Sequence, residues 1–506
     1  MALLCVPPTA LGQRLLPLRT RRCLVLLASA ALGACAVGPD YHRPDVATPP
    51  AYKAAPEGWS VATPDAAGAL KSRWWRSYGD SQLDALIERA LAANQSIAAY
   101  AAAYRAARAS VASSRADLFP SVSASGSGYG HTGQRTGTTS SVNGQSTSLQ
   151  LDASWEADLW GKVSRSVEAS RASAEASDAE LAGTRLSVVA TLVIDYFALR
   201  QADADLTLLQ AQREVDAQLL ALASARYQEG VDSYDDVRTA HNTLQAIDEQ
   251  LGSARISREQ YEHALAALVG QPPAGFSIAA RNDYPFETPS IPAQLPATLL
   301  QRRPDVVQAE RTAAAANASI GVARAAYFPS LTLSADGGFT GTDLAHLVSL
   351  PARFWSLGLS AAQTVFDAGA TRAAVQKAQA QYDQDVALYR GTVLSAFQDV
   401  EDQLSSLRVL REQSAAAGDV AARSQALANS KHDQFQAGTA SRIDELDTAL
   451  TAAQDRKTWL DYQAQALQAS VSLIKALGGG WDGALRDGSE ADAGAAAGAP
   501  APASAS

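Results

Sequence analysis

Two hydrophobic periodicities alternate along this chain. Over residues 371–437, apolar side chains recur every seven positions at Val386, Val393, Val400 and Leu407, with Phe397 and Leu404 between them. That is the seam of a helix packed lengthwise against another helix. Over 163–229 a second seam runs Leu192, Leu199, Leu206 and then Leu208, Val215, Leu222, a change of track of the kind a stutter produces. Proline is absent from 121–271 and from 352–499, so nothing there forces a helix to stop. The pattern predicts two helices of 67 residues, 163–229 and 371–437. At ~1.5 Å per residue each is on the order of 100 Å long, against a usual helix of ~11 residues.

The other period is two. Leu149, Leu151, Ala153 and Trp155 alternate with Ser148, Gln150, Asp152 and Ser154, and Trp355, Leu357, Leu359 and Ala361 with Ser356, Gly358 and Ser360. Strands are predicted at 121–130, 147–156, 330–339 and 354–363, with a soluble Gly/Ser/Thr-rich loop between the first two. Their ~9–11 residues, apolar on one face, match a tilted strand that crosses a bilayer. Four strands cannot close a barrel, and an open sheet edge in lipid is untenable. Closure therefore calls for copies: two chains give a filled eight-stranded barrel, and three give twelve strands with room for a lumen. The plainer alternative is a set of soluble edge strands on a coiled-coil protein.

The chain is a two-fold duplication. Shifted by 209, Ala106-Ala107, Arg115-Ala116 and Phe119-Pro120-Ser121 meet Ala315-Ala316, Arg324-Ala325 and Phe328-Pro329-Ser330; shifted by 208, Gly161, Gly230, Ser233, Asp236 and Gly270 meet Gly369, Gly438, Ser441, Asp444 and Gly478. The first repeat, 81–270, holds a helix from about 80 to 118, two strands, the helix 163–229 and a helix at 234–269. A proline-marked connection, 271–296, leads to the second repeat, 297–480, with its own helix, two strands, the helix 371–437 and a helix at 441–477. An Ala/Gly/Pro/Ser-rich tail, 481–506, is expected to be disordered.

Composition narrows the function. The net charge is −10, and residues 1–34 carry four arginines and no acid, so removing them gives −10 − 4 = −14. Such a chain has no basic footprint for nucleic acid. The basic region ending at Arg21-Arg22, the short apolar run Leu24–Leu32 and then Leu32-Gly33-Ala34-Cys35 read as an export signal, 1–34, with a lipobox. Cys35 then takes a diacylglycerol and an N-acyl group, and opens an extended arm, 35–80, that packs Trp74 and Trp75 on the helical body. A plain signal peptide with Cys35 incidental is the alternative. Of the three cysteines, Cys5, Cys23 and Cys35, only the last survives processing, which leaves no disulfide framework. The six histidines are scattered without metal-ligand spacing, and no phosphate-cradling glycine loop occurs. Nothing points to an enzyme, a metal or a cofactor other than the covalent lipid. Trp155 and Trp160 are expected as membrane-interface anchors.

In combination, several motifs resemble the TolC-like outer-membrane efflux ducts, specifically the acylated branch that serves RND-type pumps. They are Cys35-Ala36-Val37-Gly38-Pro39-Asp40-Tyr41 with Arg43-Pro44, Trp74-Trp75 with Gly79-Asp80, Arg226-Tyr227-Gln228-Glu229-Gly230, Leu300-Gln301-Arg302-Arg303-Pro304-Asp305, and Ile320-Gly321-Val322-Ala323 leading into Phe328-Pro329-Ser330. The resemblance covers about 36–480. It implies a mainly α fold with a small β part. Four transmembrane strands per chain close, as a homotrimer, into a twelve-stranded barrel above an α-helical coiled-coil barrel in the periplasm. It also implies a lipid-anchored outer-membrane location, a periplasmic adaptor protein and an inner-membrane pump as partners, and small toxic compounds such as antibiotics as cargo. Protein secretion, metal-ion efflux and a purely structural coiled-coil lipoprotein stand as alternatives. The near absence of methionine disfavours copper-type export.

The turns that end the two long helices are the expected working tips. Gly230 and Gly438 suit a left-handed helix stop, and Ser233 and Ser441 suit the N-caps that follow, with Asp236 and Asp444 three residues on. Asp447, one turn deeper, is not needed as a cap. In a trimer Asp444 and Asp447 form stacked carboxylate rings. By the resemblance, Ile443, Asp444, Asp447, Asp235 and Asp236 line the closed aperture, and Gly230, Val231, Gly438 and Thr439 meet the adaptor.

Overall fold

The computed structural model describes residues 36–53, 73–134, 141–289, 303–342, 347–479 and 481. Cys35, the signal segment, Leu300-Gln301-Arg302 and the tail beyond 481 lie outside the described residues. The order helix, two strands, long helix, helix occurs twice, and in the first copy two helices precede the strands. Helices α1 (Ser81–Ala93) and α2 (Gln95–Ala116) lead to strands β1 (Ser121–Gln134) and β2 (Ser141–Glu156), then α3 (Lys162–Gln228) and α4 (Tyr234–Leu268). The second series is α5 (Pro304–Ala325), β3 (Ser330–Gly341), β4 (Arg353–Ala362), α6 (Ala370–Gln436) and α7 (Arg442–Ala476). The chain divides into two compact units: residues to His42 with 109–172 and 314–383, and 43–108 with 173–313 and from 384 onward.

The first unit is built on a four-stranded antiparallel sheet in the order β1-β2-β3-β4. Directly paired residues share a face, so the register sorts the side chains into rows. Val122, Ala153, Ala335 and Leu357 form one row, and Ala124, Leu151, Gly337 and Trp355 the next. The opposite face carries Ser123, Asp152, Asp336 and Ser356. Val122, Leu149, Leu151, Trp355, Leu357 and Leu359 are all exposed, an apolar sheet face with nothing of this unit laid over it. Neither β1 nor β4 has a partner on its outer edge among the described residues.

The soluble loop expected between the first two strands is mostly strand. Pairing continues through His131↔Gly144 to Gln134↔Ser141. Ladder bonds are made by the backbone and do not need one apolar face, so the two-residue signal fades before the strand does.

Each long helix starts at an aspartate-held turn. Asp158 accepts from Val163 N at 3.0 Å and Ser164 N at 2.8 Å; Asp367 accepts from Thr371 N at 2.7 Å and Gly369 N at 2.9 Å. Val163 and Thr371 are each the second residue of their helix, reached from five residues back in one repeat and four in the other. This single-residue difference turns the 209 offset into 208. The shorter turn forces Ala368 to a positive φ of 52°, unusual for a residue with a Cβ. The longer one contains Trp160, whose Nε1 donates to Pro329 O at 2.8 Å and whose ring stacks on Phe328 at 4.8 Å. Trp160 O also accepts Val37 N at 3.0 Å, and Asp40 pairs with Arg165 at 2.8 Å, so the arm residues 37–40 lie along this unit. Trp155 likewise bonds its own chain, Nε1 to Leu118 O at 3.0 Å.

The second unit is helical. Its core is Leu83, Ile87, Leu192, Tyr196, Phe197, Leu199, Leu265, Val393, Val400, Leu407 and Leu467, all essentially inaccessible. Burying such side chains stabilises by roughly 1.5–3 kcal/mol each. Trp74 and Trp75 pack into the same cluster. One window of α3 is apolar enough to cross a membrane by composition, but half of it is buried here, as expected for the central helix of a bundle. The expected single helix at 80–118 is two, because Asn94 takes an extended conformation and caps α2 through Oδ1 to Ile97 N at 3.1 Å, while its Nδ2 donates to Leu268 O at 2.9 Å. Gly270 fits against this break, where a Cβ would lie 2.5 Å from Ala93 O.

The seam of α6 is buried from Val393 to Leu407, with Val386 only half-buried. The seam of α3 differs past its change of track. Leu206, Leu208, Val215 and Leu222 are half-buried, and the buried positions are Leu209, Gln212 and Asp216. After the stutter the face turned inward is 209–212–216, and Leu209 joins Ile247 and Leu251 of α4 in a small separate cluster.

Candidate functional site

Both long helices end in the same way. Gly230 and Gly438 each have φ of 73°. At the first turn Gly230 N donates to Tyr227 O at 3.0 Å and Val231 N to Arg226 O at 2.8 Å; at the second, Gly438 N donates to Phe435 O at 2.9 Å and Thr439 N to Gln434 O at 2.8 Å. This pair of bonds satisfies the last helical carbonyls and requires a residue comfortable at positive φ. Val231 is exposed, and a Cβ on either glycine would meet nothing within 4 Å.

Ser233 then starts α4 with a full capping box: Ser233 Oγ accepts Asp236 N at 3.3 Å and Asp236 Oδ2 accepts Ser233 N at 3.0 Å. At the start of α7, Ser441 Oγ accepts Asp444 N at 3.1 Å. Asp444 and Asp447 are exposed and Ile443 is half-buried. Asp235 points outward and lies 3.8 Å from Arg238.

The structure brings some of these residues together. Asp236, Ile443 and Asp447 line one cleft of about 420 Å³ with Asp216, Leu219, Leu222, Ala223 and Arg226 of α3, Asp232 of the turn, and Thr239, Ala240 and Thr243 of α4. Asp235 and Asp444 do not line it. Arg226 grips Asp232 with two bonds, Nε–Oδ2 at 2.7 Å and Nη2–Oδ1 at 2.8 Å. The Arg226 hydrogen bond holds the Asp232 carboxyl below the usual carboxylate range. Asp216 is pushed the other way by burial.

A second cluster ties the hairpins to each other. Arg442 donates to Glu445 on its own helix and to Gln218 on α3, and its guanidinium lies 5.1 Å from the Phe435 ring. Glu445, a buried carboxylate, also has His432 Nδ1 2.7 Å from Oε1. Burial pushes the Glu445 carboxyl up, but the bonds from His432 and Arg442 outweigh it and hold it below its usual value. Sequence patterns missed Asp216, Asp232, Arg442 and Glu445. The one usable signal was an aspartate seven residues after Leu209, at a position that the shifted seam turns inward.

A family model described as outer membrane efflux protein matches residues 86–271 and 295–479, once in each repeat. The probable efflux pump outer membrane protein TtgC of Pseudomonas putida is 30% identical over 474 residues, spanning 91% of this chain and 96% of that protein. The pyoverdine export outer membrane protein OpmQ of Pseudomonas aeruginosa is 32% identical, spanning 85% and 92%. The solved structure of the outer-membrane channel OprN superposes with a TM-score of 0.78 at 31% identity, over 88% of this chain and all of that one.

Proposed function

The chain belongs to the outer membrane efflux protein family, and from that premise we propose that it is the passive trimeric exit duct of a tripartite efflux system. It is an outer-membrane channel component and not an enzyme. The sheet carries this reading. It has an apolar face, a polar face and two edges unpaired among the described residues, and in lipid those edges must be paired. Three copies give twelve strands, enough to enclose a lumen lined by the Ser123–Asp152–Asp336–Ser356 rows.

Cargo moves under the drive of an inner-membrane pump of RND type, handed on by a periplasmic adaptor that meets the tips at Gly230, Val231, Gly438 and Thr439. Cargo is small toxic compounds such as antibiotics; the similarity to the antibiotic efflux pump outer membrane protein ArpC of Pseudomonas putida, 30% identical over 474 residues, supports this class. Cys35 is acylated after removal of 1–34 and anchors the arm in the outer membrane, since two or more acyl chains hold far better than one. Its neighbour Ala36 lies against Gly161, where a Cβ would come within 3.0 Å of Ala36 Cα, so the arm is seated from its first described residue.

Ile443, Asp444 and Asp447, with Asp235 and Asp236 on the facing hairpin, narrow the closed aperture. The test is single-channel conductance in planar bilayers. Replacing Ile443 and Asp447 with small neutral residues is expected to raise conductance and reduce cation preference. Unchanged conductance removes these residues from the aperture, and a purified protein that neither runs as a trimer nor conducts defeats the duct reading.

A further inference from the structure

The cleft at the first hairpin holds a feature that neither helix capping nor packing explains. Asp216 is only 4% exposed, sits at the inward position of the α3 seam, and has no hydrogen-bond partner or ion pair among the described residues. Its carboxylate opens onto a cleft rather than a packed wall, so its oxygens stay within reach of solvent or a ligand. The other charges lining that cleft are Asp232, Asp236, Asp447 and one cation, Arg226. Arg226 is committed to Asp232. The remaining carboxylates leave a net negative cleft awaiting positive charge.

The form of that charge follows from the spacing. Among the described residues no three carboxylates, histidines or thiols are close enough to hold a metal ion. Asp216 lies twelve residues up α3 from its end at Gln228, and Asp236 two residues into α4. At ~1.5 Å per residue the two are spread over roughly 15 Å of the hairpin axis. Between them the cleft presents Leu219, Leu222, Ala223, Ala240 and Ile443. Thr239 and Thr243 donate their hydroxyl protons to Asp235 O and Thr239 O, so their oxygens remain acceptors. Carboxylates separated by apolar side chains match ammonium groups separated by methylene chains.

We propose that this cleft binds a linear polyamine, with Asp216 as the buried anchor and Asp236 and Asp447 as the outer contacts. The ligand would bridge α3 and α4 to the first turns of α7. The site lies within one chain and differs from any ring of carboxylates formed by copies around an axis. It does not depend on which residues narrow the aperture.

The test uses the full-length protein in detergent, with spermidine as the probe and magnesium as a control, followed by calorimetry at low ionic strength. One spermidine per chain is expected, with affinity falling as salt rises. Asp216→Asn should weaken binding by about tenfold or more, since a charge-assisted bond is worth ~1.5–3 kcal/mol and 1.4 kcal/mol is tenfold. Thr243→Arg, at an exposed position, places a guanidinium in the cleft and should abolish binding while leaving the fold intact. Asp419→Asn, on an exposed part of α6, should change nothing. Equal spermidine binding by Asp216→Asn or Thr243→Arg and the unaltered protein overturns the proposal, as does displacement of spermidine by magnesium at matched charge. No conductance enters this measurement, so its failure and a failure of the aperture reading are separately visible.

Discussion

Gly38 and Gly321 lie back to back. A Cβ on Gly38 would sit 2.6 Å from the Cα of Gly321, and one on Gly321 would sit 2.8 Å from Arg165 Cγ and 2.9 Å from Val37 O. Gly38 also has φ of 120°, a conformation other residues rarely adopt. Both glycines of the recognised motifs are thereby explained by one contact, in which the arm presses its backbone onto α5 beside the Arg165–Asp40 pair.

Gly321→Ala should therefore loosen the arm. Overpacking at such a contact costs about 1–3 kcal/mol. Limited proteolysis should cut within residues 36–53 faster in the variant, with the helical content of circular dichroism preserved. Resistance equal to that of the unaltered chain would mean the arm yields elsewhere.

A buried ion network in the helical unit gives a stability prediction. Arg200 is fully buried and pairs with Asp203 at 2.8 Å, also donating to Gln82 Oε1 at 2.6 Å and Ala279 O at 2.9 Å. Arg258 adds a bond to Asp203 at 2.7 Å, and Arg281 N another at 3.0 Å. Asp203→Asn takes the counter-charge from the fully buried Arg200, while Arg258 keeps Glu262 at 3.5 Å, and should cost about 3–5 kcal/mol. The double replacement Arg200→Met with Asp203→Leu should cost less in thermal denaturation, because the fully buried guanidinium goes with its partner and Arg258 again keeps Glu262.

Asp195 supplies a pH dependence. Burial raises its carboxyl to about 6, above its value in an unfolded chain. The unfolded state then loses the proton first as pH rises, so the folded state carries a penalty that is absent below the unfolded value and grows as pH passes through about 6. Asp195→Asn should raise the melting temperature at pH 8 and change it little at pH 4. An equal gain at both values would show that something other than ionisation is at work.

The Arg442 cluster predicts how the hairpins are coupled. Arg442→Ala removes the bond to Gln218 and half the support of Glu445. Spin labels at the exposed tip positions Val231 and Thr439 should then report a broader distance distribution between the two turns. Glu445 is held below its usual value, so the same broadening is expected in the unaltered protein as pH falls through that depressed value and the carboxylate is neutralised. A distribution unchanged by both would place the coupling elsewhere.

The long helices were legible in the chain to within one residue: 163–229 against Lys162–Gln228, and 371–437 against Ala370–Gln436. Heptad apolar positions, the lack of proline and a glycine stop are all local signals. The two faces of the sheet were legible for the same reason, since the alternation of Leu149, Leu151 and Trp155 needs only a period of two. The duplication, with its shift from 209 to 208, was written in the residues, and the structure located it at the turns of Asp158 and Asp367. Tertiary structure alone decided the rest. The break at Asn94 depends on Leu268 and Gly270, more than 170 positions away. The continuation of β1 and β2 depends on backbone pairing that no side-chain pattern records. The burial of Asp216 depends on how α3 turns against α4 beyond its change of track. Local sequence sets where elements start, stop and face; which polar groups end up inside them is set by contacts between distant segments.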